Sequence, residues 1–298
     1  MDTSFLYNFA SSEESAIQFL QDRQVLRRTP PNCPTCARQM TVVKSGHGEE
    51  RIFRCPSHKG NKVFFSKDSY WEKSKVPYKR LVELLYFWSL KIPVHTCVTL
   101  TTLDKTTVIQ WFQYFRDICS NWLITNPYQI GGPGLKVEID ESLVAKRKYN
   151  RGHHVEQRWV FGATCRQTGE SFLQLIPDKT ANTLLPIIRT RIAPGSIIHS
   201  DGNPSYNNIA HLPVVPPFRH LVVIHDHNFV DPQTGACTNR VECMWKNCKQ
   251  SFKQMCGVQN STLESHLDEF MWRQINGRTP DETLNNLLQH LSQWYPVQ

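Results

Sequence analysis

Beyond Gly131-Gly132-Pro133-Gly134 the chain reads as three strands in succession and then as alternating helices and strands, an order that admits few architectures. Strand patterns cover 135–144, 158–165 and 170–175; a helix over 181–192, a strand over 196–201, a short helix near Tyr206 and a strand over 221–224 come next. A long helix over 238–255 closes the series. Three strands followed by alternating helices and strands predict an α/β domain. The glycine and proline cluster before the first strand predicts a linker.

The first strand, Lys136-Val137-Glu138-Ile139-Asp140-Glu141-Ser142, alternates apolar and acidic residues. Residues two apart on a strand share a face, so Glu138 and Asp140 project together and Val137, Ile139 and Glu141 take the other side. Asp201 comes after an apolar strand and precedes Gly202, a usual place for a functional side chain. Glu242 falls in the first turns of a helix whose Val241, Trp245, Cys248 and Phe252 can face the sheet. If the strands of Asp140 and Asp201 are neighbours, three carboxylates converge. Hard Mg²⁺ binds such oxygens while keeping water, and two ions about 3.5–4 Å apart can serve an in-line phosphodiester displacement. The competing readings are an acid solvated at a strand end and, for Glu242, an acid that complements a helix dipole. The element order is that of a ribonuclease-H-like domain.

The N-terminal part has another chemistry. Ser11 to Glu14 has capping-box spacing ahead of Ile17, Phe19 and Leu20, which predicts a short helix ended by Pro30 and Pro31. Cys33-Pro34-Thr35-Cys36 and Cys55-Pro56-Ser57-His58 form two knuckles around a hairpin-like insert, the pattern of a zinc ribbon closed by four protein ligands. His47 competes with His58 for the fourth position, and a coincidence of free thiols is the alternative. The next stretch mixes Lys62, Lys67, Lys73, Lys75, Lys79 and Arg80 with aromatic residues, either a nucleic-acid surface or a solvated face. A helix over 81–90 and a second starting at Thr101-Thr102-Leu103-Asp104 have helix-turn-helix spacing, with plain helical packing as the alternative. The expected division is an N-terminal helix (1–30), a zinc ribbon (31–76), a helical DNA-binding region (77–130), a catalytic domain (131–277) and a helical tail (278–298).

Lys and Arg number 34 against 26 Asp and Glu, a net charge of +8 that favours a polyanionic partner. No apolar run approaches the roughly 18 residues of a membrane span and no signal peptide opens the chain, so a soluble intracellular protein is expected. Ten cysteines without an export signal read as reduced thiols, some of them metal ligands. Cys237, Cys243, Cys248 and Cys256 do not have the spacing of a second site.

Val137 to Ser142, Lys146 to Gly152, Trp159-Val160-Phe161-Gly162, Ser200-Asp201-Gly202, Asn228 to Pro232, Thr238 to Glu242 and Leu267 to Arg273 occur in the order seen in Merlin-type DNA transposases and their bacterial insertion-sequence relatives, which the chain resembles over nearly its whole length. The resemblance implies a DDE triad of Asp140, Asp201 and Glu242 holding two Mg²⁺ or Mn²⁺ ions, beside one structural Zn²⁺. It implies cleavage at terminal inverted repeats and strand transfer into target DNA by a homo-oligomer, at least a dimer. Lys146, Arg147 and Lys148 would contact phosphate, and His225 would stand near the triad. Gly202 and Asn203 depart from the family, which often has an acidic or bulky residue and then Trp there; His58 is an unusual fourth zinc ligand. The implied compartment is the nucleus in a eukaryotic host and the cytoplasm in a bacterial one. A DNA-binding protein without cleavage activity, or a nuclease without strand transfer, are the other readings.

Overall fold

The computed structural model describes residues 4–45, 51–145, 157–223, 234–255 and 257–297. The chain forms two compact units: Met1–Ile118 together with Asn276–Gln298, and Cys119–Ile275.

The first unit opens with α1 (Ser4–Phe9) and α2 (Glu13–Asp22). The capping box of α2 forms one residue later than the sequence spacing predicts, between Ser12 and Ser15. Glu13 and Glu14 are engaged elsewhere. Glu14 pairs with Arg51 at 2.7 Å. Glu13 accepts the backbone N–H groups of Tyr78 and Lys79 at 2.7 and 3.0 Å. Those two groups open α3 (Tyr78–Ser89), whose N-cap is Pro77 and has no side-chain acceptor, so α2 supplies the cap that α3 lacks.

Between these helices β1 (Thr41–Lys44), β2 (Arg51–Arg54) and β3 (Lys62–Phe64) form an antiparallel sheet in chain order. After α3 come α4 (Val94–Thr101) and α5 (Lys105–Thr125). Apolar periodicity alone does not separate α4. Thr102, left-handed at φ 58, ends it. The Asp104 carboxylate accepts the Thr106 N–H at 2.8 Å and starts α5. The tight polar turn therefore joins α4 to α5, not α3 to α5. Leu81, Leu84 and Leu85 of α3 and Phe115 of α5 are fully buried in this unit.

In the second unit β4 (Ile130–Gly131) is followed by β5 (Lys136–Ala145), β6 (Arg158–Cys165) and β7 (Ser171–Ile176), then α6 (Ala181–Arg191), β8 (Ile192–Ala193), β9 (Ile197–Ser200), β10 (Arg219–Val222), α7 (Asn239–Gln254) and α8 (Leu263–Asn276). The sheet order is β10-β9-β5-β6-β7. Its β5-β6 and β6-β7 pairs are antiparallel. The β5-β9 and β9-β10 pairs are parallel, so the sheet is mixed. β4 and β8 form a separate small parallel pair, too short to have a periodicity in the sequence.

One face of the sheet buries Val137, Ile139, Phe161, Ala163 and Ile198; the other buries Val160 beside the polar Glu138, Thr164 and His199. Against this second face α7 buries Val241, Met244, Trp245, Cys248 and Phe252, the predicted stripe with Met244 added.

The last helix, α9 (Pro280–Trp294), is not a separate tail. It buries Leu284, Leu287, Leu288 and Leu291 within the first unit, because a helix with one apolar stripe must cover it. Among the described residues no helix is long and apolar enough to cross a membrane.

Candidate active site and zinc centre

The middle strand β5 carries the acids, and its two faces do different work. Glu138, Asp140 and Ser142 meet α7. The Glu138 carboxylate accepts the N–H groups of Arg240 and Val241 at 2.7 and 3.1 Å. Asp140 Oδ2 accepts Trp245 Nε1–H at 3.0 Å. The Lys249 ammonium donates to the Ser142 hydroxyl. This ladder has a geometric cause: two strand residues advance about 6.6 Å and four helix residues about 6.0 Å, so alternate strand residues fall in step with every fourth helix residue.

Two further features hold α7 in place. On β9, buried His199 accepts the Cys237 N–H at 3.3 Å, so the approach to α7 is tied to both parallel strands. On β6, Gly162 is the register partner of Asp140. A Cβ there would run into the Trp245 ring and lie 2.8 Å from Met244 Cε. Glycine is needed here for room, since its φ is not positive.

The strand register brings the aspartates together. β5 and β9 pair up to Glu138 and His199; Asp140 stands two residues further along β5, and Asp201 two residues after His199, just past the end of β9. Burial pushes the Asp140 carboxyl up to about 7, with the Glu141 and Asp201 charges adding to the rise. Asp140 and Asp201, half-buried and of like charge, are oxygen donors of the kind a hard divalent cation takes, but together with Glu242 they do not form the group of three within ligand distance of one another that the sequence leads one to expect.

Glu242 lies in the first turn of α7, exposed, with its carboxylate accepting from the Thr238 hydroxyl at 3.3 Å. It comes directly after Val241, whose N–H is held by Glu138, so its helix is fixed to β5 although its side chain is turned toward Thr238. Lys146, Arg147, Lys148 and His225 lie outside the described residues.

Sequence reasoning treats Glu138 as a companion of Asp140 and gives Glu141 no role. Glu138 is fully buried, with Arg166 at 3.2 Å. Its burial has no signal in the sequence beyond its place two residues before Asp140. Glu141 accepts from the hydroxyl of fully buried Tyr206 and from Asn203 Nδ2 at 3.3 Å. Burial raises its carboxyl.

In the first unit, Cys33, Cys36, Cys55 and His58 offer ligand atoms that all lie within 4.8 Å of one another. Among the described residues it is the one such group of three or more. Cys36 Sγ and Cys55 Sγ are 3.6 Å apart, and His58 Nδ1 is 3.9 Å from Cys33 Sγ and 3.8 Å from Cys55 Sγ. A tetrahedron with metal–sulfur bonds of about 2.3 Å has edges of about 3.8 Å, so the group has the size of a zinc site.

The surroundings also stabilise thiolate. Asn61 Nδ2 donates to Cys33 Sγ and the His58 N–H to Cys55 Sγ, both at 3.2 Å. Burial raises the Cys33 thiol, but Asn61 and the backbone donors of its knuckle outweigh it and bring the thiol down to about 5. Asn61 was not foreseen; His47 lies outside the described residues.

Part of the chain is similar to known proteins. Residues 131–274 match the family model described as the ISXO2-like transposase domain, a span that contains both aspartates and α7. A Haemophilus influenzae protein described as an uncharacterized transposase-like protein is 28% identical over 99 residues, which cover 33% of this chain and 76% of that one. Among solved structures, the catalytic core domain of BIV integrase is similar at 17% identity and a TM-score of 0.32, over 48% of this chain and 84% of that one. A simian T-cell lymphotropic virus intasome in complex with PP2A regulatory subunit B56 gamma is similar at 16% identity and a TM-score of 0.33, over 66% and 69%. The sequence matches support a transposase; they do not distinguish the Merlin type.

Proposed function

We propose that the chain is a Merlin-type DDE transposase of ribonuclease-H-like fold that cuts DNA at terminal inverted repeats and joins the freed ends to target DNA. The observation that carries this reading is the match of residues 131–274 to a transposase domain over the stretch in which Asp140 stands on β5 and Asp201 directly follows the adjacent parallel strand β9.

In this reading Asp140 and Asp201 hold two divalent ions, Mg²⁺ or Mn²⁺, with Glu242 reaching one of them from α7. Such ions polarise the phosphodiester and stabilise the attacking and leaving oxygens when bound. The chain's own residues fix the distances: Trp245 orients the Asp140 carboxylate, Glu138 pins the start of α7, and the apolar floor of Val137, Ile139 and Ile198 limits movement of the strands. Lys146, Arg147 and Lys148 bind phosphate beside the acids. Cys33, Cys36, Cys55 and His58 hold one structural zinc ion, and with four protein ligands that site has no open position for chemistry. The first unit recognises the DNA ends, supported by the α4-α5 pair and by the net charge of +8. The protein acts as an oligomer on paired ends, in the nucleus of a eukaryotic host or the cytoplasm of a bacterial one.

The test is incubation of the zinc-loaded chain with Mg²⁺ or Mn²⁺ and a DNA carrying the inverted repeats that flank its gene, beside Asp201→Asn. Cleaved and joined products from the parent alone are expected. Removing the charge should abolish chemistry and spare DNA binding. Binding of those ends by both proteins without cutting under either metal would replace the enzyme with a DNA-binding protein, and nicking without joining would leave a nuclease.

A further inference from the structure

Asp201 stands beyond the last paired residue of β9, so the strand ladder does not set its side chain. The chain then makes a compact turn. Asn203 uses three groups at once: its N–H donates to Asp201 Oδ1 at 3.1 Å, its Oδ1 accepts the Ser205 N–H at 3.0 Å, and its Nδ2 donates to Glu141 Oε1 at 3.3 Å. Tyr206, fully buried, donates to the same Glu141 oxygen. Glu141 is thus the β5 anchor for the turn, next in sequence to Asp140 and on the other side of the strand.

We propose that Glu141 is a positioning residue that sets the Asp201 carboxylate relative to Asp140 through Asn203, and that it does so as a hydrogen-bond acceptor and not as a metal ligand. The inference rests on the reading of Asp140 and Asp201 as metal-holding carboxylates. It explains why Asn203 stands where the resembling family often has other residues: here that position ties the second aspartate to the first aspartate's strand. Both donors use one Glu141 oxygen, so a carbonyl oxygen in that place serves equally.

The experiment is titration of the zinc-loaded full chain with Mn²⁺ alone, read by the electron paramagnetic resonance of free Mn²⁺, with thermal unfolding of each variant recorded beside it. Asp201→Asn is the reference and should weaken Mn²⁺ binding at least about tenfold, while Glu141→Ala and Asn203→Ala should each weaken it about 10- to 100-fold, the range for groups that orient metal ligands. Their double variant should lose little more than either, because both act on one chain of bonds. Glu141→Gln should stay within about threefold of the parent, since its amide oxygen still accepts both bonds. A loss in Glu141→Gln as large as in Glu141→Ala would overturn the proposal and make Glu141 a ligand through its charge. Parent-like binding by Glu141→Ala, with Asp201→Asn impaired, would overturn it while leaving the aspartate site standing. Parent-like binding by Asp201→Asn would remove the site and the proposal together. A parent that binds Mn²⁺ in the expected variant pattern and does not cut DNA would confirm the positioning role and refute the transposase.

Discussion

Gly162 and Glu138 decide how closely α7 approaches Asp140, one by having no side chain and the other by burying a charged one. Gly162→Ala should destabilise the second unit by about 1–3 kcal/mol, the usual cost of overpacking, because the new methyl meets Trp245 and Met244. Urea unfolding followed by Trp fluorescence checks this, and an unchanged midpoint would show that α7 yields freely. Glu138→Leu should cost about 2–4 kcal/mol, since two N–H groups of α7 lose their acceptor and Arg166 loses its partner. Glu138→Gln, which keeps an acceptor oxygen, should cost clearly less in the same assay. The positions of Asp140 on β5 and of Asp201 directly after β9 are readable from sequence because each sits in a strand pattern with a turn or an acidic neighbour close by. The roles of Glu138, Glu141 and Asn203 are not. Their partners, Arg240, Tyr206 and Asp201, are set by strand order, and nothing in a linear spacing shows which side chain will be buried. Glu242 does fall in the first turn of its helix, as expected, but the direction of its carboxylate toward Thr238 is a matter of rotamer.

The elements most legible in the sequence are those with strict geometry. The two knuckles place four ligand atoms at tetrahedral size because C-x2-C and C-x2-H turns aim both side chains inward. If the ion supplies the folding energy of this small sheet, 1,10-phenanthroline should release one zinc ion per chain and lower the thermal stability of the first unit, with recovery on adding Zn²⁺ back. Cys36→Ser should do the same without chelator, whereas His58→Cys should retain the ion. Retention of β1-β2-β3 structure in metal-free protein, read by circular dichroism, would refute the structural role. Elements fixed by remote caps are harder to read. The start of α3 depends on Glu13, which lies sixty-five residues earlier in the chain. The separate α4 depends on Thr102 taking a left-handed conformation that favours Gly or Asn and that a threonine does not advertise. The bounds of β5, β6, β7 and α7 agree with the sequence reading to within one residue because their apolar periodicity is strong.

The net charge of +8 belongs to the whole molecule, and it is at this scale that the proposed binding of DNA is tested. Binding to the inverted repeats should weaken steeply between about 50 and 200 mM salt, as phosphate neutralisation releases counterions, with a log-log slope of about −0.9 per phosphate contact. A slope near zero in fluorescence anisotropy would show that charge does not drive the encounter. The α/β order of the second unit is legible from the sequence, but the division of the chain is not. A linker at Gly131 and a tail after residue 277 are what the sequence suggests, whereas the unit boundaries fall within α5 and at Asn276. Helical periodicity runs smoothly through Ile118 and Cys119, so it carries no mark of the change of partner. The membership of α9 has a consequence for biosynthesis. Its leucines belong to the unit that begins with α1 and α2, yet they leave the ribosome only after the 157 residues of Cys119–Ile275. At about 5–20 residues per second the interval is roughly 10–30 s. During that time the Cys33–Cys36 and Cys55–His58 knuckles are already outside the tunnel while the leucines of α9 that complete their unit are still to come.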